Sequence, residues 1–332
     1  MNFLVINLKK YFFSMLFFIF TISLLIFSEN NLLAAQNGIM LWSAKVLPVL
    51  FPFFIATEIL CSTNFCYILG NLLKRFMKPF FNVPGEAALA IILGTISGSP
   101  VGAKTVCNLK NQKIISKIEA ERLIAFTNNS GPLFIVSTIG YSLFKNKTLG
   151  YILLFSHILS ALVVGHLFKF WKKDKLDINY NEIKFNSKQS PIKISELGEI
   201  LSNSIKNAIT TLLSIGGFIV FFSILISTLN SLGIIQLLKS ILELFHIPPK
   251  ISEAFIIGSL ELTNGVELFG NLYSSFPLVS LLFTSFLIGF GGFSVLLQVY
   301  SIISKENISI KPYFLGKLLQ GIISTIITYL IK

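Results

Sequence analysis

Four short polar or glycine-rich tracts interrupt the long apolar runs of this 332-residue chain. They cover residues 97–102, 127–132, 261–265 and 289–292, so that two tracts lie in each half of the sequence. Lipid cannot satisfy free backbone N–H and C=O groups, so unwound backbone persists at membrane depth only where protein or a water-filled cavity surrounds it. Broken apolar segments at matching places in two halves are typical of membrane transporters, whose solutes bind beside the breaks.

The composition indicates that most of the chain lies within a lipid bilayer. Hydrophobic residues make up 53% of it and charged residues 13%, a balance that no soluble domain of this length needs for its core. One spanning helix requires about 20 apolar residues. Uncharged stretches of comparable or greater length cover residues 11–28, 87–103, 123–144, 148–168, 207–238 and 268–304. We therefore expect an all-α polytopic membrane protein.

Two further predicted spans carry charged residues. The span at 38–60 contains Lys45 and Glu58, and the span at 312–331 contains Lys317. Long charged side chains near the ends of a spanning helix reach the membrane interface, and we expect these three to do so.

The basic residues predict the topology. Net charge is +12, but the lysines and arginines flank apolar segments instead of forming a stripe with interleaved aromatic residues, so we expect no nucleic-acid partner. Basic loops face the cytoplasm. The basic clusters lie at residues 9–10, 74–78, 110–122 and 169–193. With all four inside, residues 86–104 must enter and leave on one side as a re-entrant hairpin.

This topology gives about seven spanning helices, two re-entrant hairpins and a cytoplasmic N-terminus. A cleaved signal peptide is the alternative for the N-terminus, but the apolar run from Tyr11 to Phe27 exceeds the usual length of about 7–15 residues. A short interfacial helix is expected over residues 195–206. The predicted organisation is an N-terminal spanning helix (1–37), a first repeat (38–168) with hairpin 86–104, a cytoplasmic basic linker (169–194) and a second repeat (195–332) with hairpin 251–268.

The two halves align weakly with each other at an offset of about 164 residues. Lys74 aligns with Lys239, Glu86 is near Glu253, and Gly94 aligns with Gly258. Since the two hairpins are expected to enter from opposite faces, this alignment indicates inverted repeats, which permit alternating access to a site at the midplane. Chance matching of apolar sequence is the alternative.

The first tract supplies groups suited to an anion. Ser97 and Ser99 carry hydroxyls, and Gly98 and Gly102 allow a ligand to approach the backbone. The N-terminus of the returning half-helix attracts negative charge. Lys104 lies one turn beyond the tip, where it either neutralises a solute carboxylate or pairs with an acidic residue or a lipid phosphate.

The second tract places four consecutive polar side chains in an apolar span. They are Thr127, Asn128, Asn129 and Ser130. Burying such groups unpaired costs roughly 1–3 kcal/mol each, so they need protein partners, water or solute. We expect solute or ion contact here, and a purely structural kink is the alternative.

The third tract contains a carboxylate at the second hairpin tip. Ionisable groups at such depth are functional by default, so Glu261 is expected to bind a coupling cation, carry a proton or accept a hydrogen bond from the solute. A salt bridge to Lys104 is the structural alternative. Thr263 and Asn264 are expected to orient the same ligand.

The fourth tract offers backbone carbonyls and a few side chains. The candidates for solute contact are Gly291, Gly292 and the neighbouring Ser294, and Gln298 offers one amide. Close packing between helices is the alternative explanation for the glycines.

Signatures of catalysis and of cofactor binding are missing from the sequence. Ser99 and Ser130 have no nearby His and Asp, no Walker loop is present, and the glycines at 289–292 lack a strand before them. The three cysteines and three histidines have no metal-ligand spacing. We therefore expect no enzyme activity, no cofactor and no metal centre.

These tracts resemble those of a known family. The residues that carry the resemblance are Ser97-Gly-Ser-Pro-Val-Gly-Ala-Lys104, Glu119 to Pro132 with its Thr-Asn-Asn-Ser-Gly-Pro end, Glu261-Leu-Thr-Asn-Gly265, and Gly289 to Val299. They resemble the sporulation integral membrane protein family of endospore formers, whose members carry the nucleoside-recognition, or Gate, domain. That family is similar in turn to concentrative nucleoside transporters. The resemblance spans residues 41–330.

The resemblance implies a secondary transporter with a nucleoside-transporter-like fold. It implies movement of dipicolinate, a small planar dianion, from the mother-cell cytosol across the outer forespore membrane during sporulation. Nucleosides or other small solutes are the alternative cargo, and a non-transporting membrane scaffold for spore assembly is the alternative class. The expected partners are a small anionic solute, the lipid bilayer, a coupling ion or proton, and a second copy of the chain. The sodium-site pattern of nucleoside carriers is not recognisable here.

Overall fold

The computed structural model describes residues 2–62, 65–172 and 197–332, and these residues form helices joined by short connections with no β-strand among them. The helices of the first half are α1 (Asn2–Ile26), α2 (Ser28–Leu41), α3 (Leu47–Ser62), α4 (Phe65–Phe81), α5 (Ala88–Ile96), α6 (Val101–Asn111), α7 (Lys117–Thr127) and α8 (Lys147–Phe168). A π-helix (Trp42–Val46) joins α2 to α3, and a second π-helix (Phe134–Leu143) follows α7.

The second half contains a similar series of helices. They are α9 (Leu197–Ser231), α10 (Ile234–Glu243), α11 (Pro249–Leu260), α12 (Leu262–Leu272), α13 (Pro277–Phe290), α14 (Gly292–Ile303) and α15 (Ile310–Ile331). The all-α architecture predicted from the sequence is therefore confirmed.

The order of elements is the same in both halves. A long helix (α3, α9) is followed by an amphipathic helix (α4, α10), a helical pair (α5–α6, α11–α12) and an interrupted helix (α7 with its π-helix, α13–α14). Each half then ends on a helix of 22 residues, α8 in the first and α15 in the second. The sequence reasoning did not identify α4 and α10, because charged residues such as Lys74 and Lys239 interrupt their apolar composition.

Equivalent ion pairs hold both amphipathic helices to the start of the following helical pair. Lys74 of α4 contacts Glu86 at 2.5 Å, and Lys239 of α10 contacts Glu253 at 2.7 Å. These are the lysines and glutamates that the internal sequence alignment brings together.

Glycine lets the two helices of each pair approach closely. A Cβ added at Gly265 would lie 2.0 Å from the Cα of Gly258, and one added at Gly94 would lie 3.1 Å from the Cα of Gly102. A Cβ at Gly94 would also lie 1.6 Å from the carbonyl oxygen of Thr127. Larger residues at these positions would therefore separate the helices of each pair and, in the first half, the pair from α7.

All four predicted interruptions are present. The helices break at residues 97–100, at 128–131, at Glu261 and at Gly291. Gly98, Gly291 and Gly292 have φ angles of +76°, +86° and +75°, a region that side chains with a Cβ rarely adopt. The composition of these tracts thus fixed where the backbone leaves helical geometry.

The number of uninterrupted spans differs from the seven predicted. In the described part of the chain, five helical segments are long and apolar enough to cross a bilayer: Ser28–Leu60, Lys147–Phe168, Leu197–Ser231, Pro277–Glu306 and Ile310–Ile331. The pair Asn71–Phe81 and Gly85–Ile96, bent by 107°, is a broken span or a re-entrant loop. The predicted spans at 11–28 and 123–144 contribute shorter apolar helices, Ser14–Ile26 and Phe134–Leu143, the second because the polar tract ends α7.

Two of the predicted boundaries fall within continuous helices. The boundary between residues 37 and 38 falls inside α2, where Gly38 packs against Ser223 of α9 and no helix-breaking residue intervenes. The expected interfacial helix at 195–206 is continuous from Leu197 with the spanning part of α9.

Most of the basic linker predicted at 169–194 lies outside the described residues. At its start, the carbonyl oxygen of Trp171 accepts hydrogen bonds from the guanidinium of Arg122 at 2.9 and 3.0 Å. Lys172 forms an ion pair with Glu121 at 2.7 Å. These contacts tie the end of α8 to α7.

Candidate functional site

A cavity of about 690 Å³, part of it open to solvent, lies where the two hairpin tips meet. Its walls come from both halves of the chain. The lining residues are Val46, Leu50, Phe53, Phe54, Ser97, Gly98, Ser99, Ser130, Gly131, Phe134, Ile215, Phe218, Ile219, Glu261, Leu262, Thr263, Ser294, Val295 and Gln298. Polar groups from the breaks thus face aromatic and aliphatic side chains of α3 and α9.

The cavity brings together seven of the fifteen candidate residues predicted from the sequence. Those seven are Ser97, Gly98, Ser99, Ser130, Glu261, Thr263 and Ser294. The other eight do not line it: Gly102, Lys104, Thr127, Asn128, Asn129, Asn264, Gly291 and Gly292.

Lys104 is not part of the cavity. Its side chain is exposed on α6, whereas Glu261 is only 3% exposed. The carboxylate of Glu261 accepts hydrogen bonds from the backbone N–H of Asn264 at 2.7 Å and from the side-chain amide of Asn264 at 3.0 Å. The alternative of a salt bridge between Lys104 and Glu261 is therefore wrong.

Asn128 connects three elements behind the cavity wall. Its Oδ1 accepts from the backbone N–H of Ala103 at 3.3 Å. Its Nδ2 donates to the hydroxyl of Ser99 at 2.9 Å and to that of Tyr313 at 3.2 Å. Both polar atoms of the carboxamide are thus used within the protein. The side chain holds the first hairpin tip to α7 and α15 instead of facing the cavity.

Hydrogen bonds of the backbone also hold the interruption that follows α7, residues 128–131, which we call the first break. The N–H of Ser99 donates to the carbonyl oxygen of Asn129 at 2.7 Å, and the N–H of Ser130 donates to Nε2 of His157 at 3.2 Å. A Cβ added at Gly102 would lie 2.3 Å from the carbonyl oxygen of Thr127, so Gly102 serves close packing. Thr127 itself is fully buried, and its hydroxyl has no hydrogen-bond partner among the described residues.

Gly292 of the fourth tract also serves close packing. A Cβ added at Gly292 would lie 3.1 Å from the carbonyl oxygen of Gly258 and 3.3 Å from the nitrogen of Leu262. The break between α13 and α14 therefore packs against the second hairpin tip, as the first break packs against the first tip.

Gln298 is the cavity-lining side chain with the most hydrogen-bonding capacity left. It is 5% exposed, and its Nε2 has no hydrogen-bond partner among the described residues. A buried donor without a partner is costly, and most such groups in proteins are paired. The amide can donate to a solute that enters beside Glu261.

A second cavity of about 1700 Å³, which includes open solvent, lies on the other side of the second hairpin tip. Its polar lining consists of Asn30, Asn37, Lys45, Ser223, Ser227, Asn230, Ser231, Glu253, Asn264 and Glu267. Lys45 and Glu267 form an ion pair across it. The carboxamide of Asn264 donates both to Glu261 and to the hydroxyl of Ser223, each at 3.0 Å, so these residues stand between the two cavities.

The sequence reasoning missed a buried polar cluster around Lys317. This side chain is 2% exposed, and its Nζ donates to Oε1 of Gln320 at 2.7 Å and to Oδ1 of Asn129 at 3.3 Å. The expectation that Lys317 reaches the membrane interface is therefore wrong. A lysine within an apolar span was the available signal, but its partners lie far away in the sequence. Among the described residues, no group of three or more His, Cys, Asp or Glu could hold a metal ion.

Fold and cavity together define a polytopic membrane protein of the concentrative nucleoside transporter fold. The solved structure of CNTnw in an outward-facing state matches 87% of this chain and 76% of its own, with a TM-score of 0.54 and 11% sequence identity. At that identity the likeness concerns the fold alone.

Sequence comparison narrows this class to a family. Residues 43–146 match the family described as "Gate: Nucleoside recognition". The chain is 34% identical over 331 residues to the sporulation integral membrane protein YlbJ of Bacillus subtilis (strain 168), covering 95% of this chain and 81% of that protein. The chain therefore belongs to this family of sporulation integral membrane proteins.

Proposed function

We propose that this protein is a secondary carrier that moves a small planar aromatic solute through the cavity between its hairpin tips. We further propose that the solute is dipicolinate, carried from the mother-cell cytosol across the outer forespore membrane during sporulation. The observation that carries the proposal is a cavity whose lining includes residues at the helix interruptions of both halves of the chain. Family membership supports the link to sporulation, and the carrier-type fold favours transport over a scaffold.

The walls of the cavity suit a flat ring with polar ends. Phe53, Phe54, Phe134 and Phe218 contribute aromatic surface. Aromatic side chains bind flat rings by stacking or by edge-to-face contact. The amide of Gln298 and the hydroxyls of Ser97, Ser99 and Ser294 are available to carboxylate oxygens, which accept hydrogen bonds.

Charge balance assigns a role to Glu261. A dianion is repelled by a neighbouring carboxylate, and a proton on the carboxyl group removes this repulsion. A neutral carboxyl group also donates a hydrogen bond, which a solute carboxylate accepts. We therefore propose that Glu261 is protonated when dipicolinate is bound, and that one oxygen continues to cap α12 through Asn264.

A nucleoside is the second candidate cargo. Glu261 is the one ionisable side chain among the described residues that line the cavity, and no basic side chain accompanies it there. An uncharged solute with several hydroxyl donors matches that lining, since a carboxylate accepts their hydrogen bonds. The family description "Nucleoside recognition" agrees with this alternative.

The topology belongs to the same proposal. The two repeats, residues 38–168 and 195–332, would be inverted with respect to each other, with a cytoplasmic N-terminus and a cytoplasmic linker. The equivalent ion pairs Lys74–Glu86 and Lys239–Glu253 support the division into repeats.

Uptake into proteoliposomes tests the cargo. Purified full-length protein is reconstituted, and uptake of radiolabelled dipicolinate is compared with that of radiolabelled uridine and with protein-free liposomes. We expect saturable dipicolinate uptake that excess unlabelled uridine does not reduce. Saturable uridine uptake without dipicolinate uptake would replace the cargo by a nucleoside. Uptake of neither solute by folded protein would favour the scaffold.

A further inference from the structure

The buried cluster around Lys317 contains an amine and an imidazole in a region of otherwise uncharged side chains. Lys317 and Gln320 belong to α15, His157 to α8, and Asn129 to the first break. All four side chains are at most 3% exposed. Because an isolated charge is expensive to bury in a membrane protein, a lysine in such a place is a candidate for function.

The hydrogen bonds of the cluster fit an amine that can gain a proton. Two acceptors face Nζ of Lys317, namely Oε1 of Gln320 at 2.7 Å and Oδ1 of Asn129 at 3.3 Å. A neutral amine has two N–H donors and one lone pair, whereas an ammonium group has three donors. Within the described part of the chain, the two acceptors therefore satisfy the neutral amine and leave its lone pair available.

The amide of Gln320 links the lysine to its neighbours. Nε2 of Gln320 donates to Oδ1 of Asn129 at 2.9 Å and to the carbonyl oxygen of His157 at 3.3 Å. Nε2 of His157 accepts from Ser130, so the hydrogen of a neutral imidazole lies on Nδ1. Nδ1 is 3.4 Å from Nε2 of Gln320, whose two hydrogens are used by Asn129 and by the carbonyl oxygen of His157. His157 is thereby committed as an acceptor toward the first break, and Lys317 is the group of the cluster with a free position for a proton.

The cluster lies directly behind the wall of the cavity. Ser130, which lines the cavity, donates its N–H to His157. Ser99, which also lines it, donates its N–H to the carbonyl oxygen of Asn129, the residue whose side chain accepts from Lys317. Lys317 is therefore connected to the cavity wall through a single residue, Asn129, which bonds both Ser99 and Lys317.

The neighbouring elements bring no carboxylate to Lys317 in the part of the chain that the structure describes. Helices α7, α8, α13 and α14 pack against α15. Their ionisable residues and those of α15 itself are Lys117, Glu119, Glu121, Arg122, Lys147, Tyr151, His157, His166, Tyr300, Lys311, Tyr313 and Tyr329. Glu119 bonds the backbone N–H of Ser116, and Glu121 pairs with Lys172. Compensation for an ammonium group at Lys317 must then come from the cavity.

We propose that Lys317 binds one proton when an anionic solute occupies the cavity and releases it when the solute leaves. The lone pair of the amine forms the new N–H bond, and the proton comes from water and returns to water. Transport of the anion is then coupled to proton movement. This inference rests on the proposed function, because a neutral solute would give Lys317 no reason to charge.

Proton uptake during binding tests the proposal. Detergent-purified full-length protein is mixed with dipicolinate in weak buffer containing a pH indicator, and bound solute is measured in parallel. We expect wild-type protein to take up protons, and Lys317→Gln to take up about one proton fewer per bound dipicolinate. Lys311→Gln, which removes an exposed lysine from the same helix, is the matched control and should behave like wild type.

A second variant separates proton binding from structure. Lys317→Arg keeps a positive charge that no accessible pH removes, so it should also lose that one proton of uptake. If both variants are too unstable to purify, the wild-type stoichiometry decides: protonation of both Glu261 and Lys317 predicts about two protons per bound dipicolinate, and uptake of one or none would overturn the inference. Equal uptake by wild type and Lys317→Gln would do the same. Absence of dipicolinate binding to the wild type would instead overturn the proposed cargo, and this inference with it.

Discussion

The two hairpin tips use their polar groups in different ways. At the first tip, the carboxamide of Asn128 bonds Ser99, Ala103 and Tyr313, so its hydrogen-bonding capacity is spent within the protein. At the second tip, the adjoining break consists of glycines, and Gln298 beside it retains an unpartnered amide. The comparison indicates that the first half supplies a rigid wall, with the amine of Lys317 from α15 buried behind it. The second half supplies the carboxyl group of Glu261 and the unpartnered amide of Gln298.

The largest effect is expected from Asn128→Ala. It removes three hydrogen bonds and leaves buried groups unpaired, at a cost of about 1–3 kcal/mol for each such group. We expect membrane abundance and transport to fall together. Measuring protein level and flux for the same preparation checks this.

Asn264→Ala is the comparison change at the second tip, because Asn264 lies in the first turn of α12 and its carboxamide bonds Glu261 and Ser223. Its carboxamide bonds two side chains, and we expect a smaller loss of abundance. Normal abundance with abolished flux in Asn128→Ala would contradict the assignment and make Asn128 a solute contact.

Glu261→Gln should separate the two candidate cargoes. A glutamine keeps an oxygen for the N–H of Asn264 and donates hydrogen bonds as a protonated carboxyl group does. For dipicolinate we expect affinity within about threefold of the wild-type value at low pH. The wild-type affinity should fall as pH rises, by up to about tenfold per pH unit for each coupled proton, and the variant should lose part of that slope.

The matched control for this change is Glu267→Gln. Glu267 lies on α12, the helix that Glu261 caps, but it lines the second cavity, where it pairs with Lys45. It should leave the pH dependence of dipicolinate affinity unchanged. If Glu261→Gln and Glu267→Gln give the same pH profile as wild type, Glu261 carries no proton with the solute.

Gln298→Leu should weaken solute binding without weakening the fold. The lost hydrogen bond corresponds to a decrease in affinity of about three- to tenfold. The melting temperature should stay the same or rise, because the change removes a buried donor that lacks a partner. Ser301→Ala, on the same helix but outside the cavity, is the control. A lower melting temperature with unchanged affinity would assign Gln298 to structure.

The smallest effect is expected from Lys104→Gln. Its side chain is exposed and does not line the cavity, so affinity for dipicolinate should change by less than about twofold. A tenfold loss of affinity would place Lys104 at the solute after all, and would shift binding toward the first half.

The sequence was informative where the constraint is local. Gly98 and Gly291 stand where the backbone takes positive φ, and the polar run that begins at Thr127 ends a helix; both are visible in the residues themselves. The internal alignment likewise identified Lys74 and Lys239 as equivalent, and both form the corresponding ion pair.

Contacts between distant parts of the chain were not predictable in this way. Asn128 meets Tyr313 across 185 residues, and Asn129 meets Lys317 across 188. A polar residue at a break can face solute or be satisfied by another helix, and a single sequence does not distinguish these arrangements. The same reason explains why Lys317 was expected at the interface and why Lys104 was a candidate for solute contact.

Protection of an engineered cysteine tests most directly whether the cavity between the hairpin tips holds the solute. Ser294→Cys places a thiol on the cavity wall, and Ser227→Cys places one in the second cavity, each in a background lacking Cys61, Cys66 and Cys107. The rate of labelling by a small maleimide is measured in proteoliposomes with and without saturating dipicolinate. The account predicts that dipicolinate slows labelling of Ser294→Cys and leaves Ser227→Cys unchanged. Undiminished labelling of Ser294→Cys, or protection of Ser227→Cys alone, would contradict it.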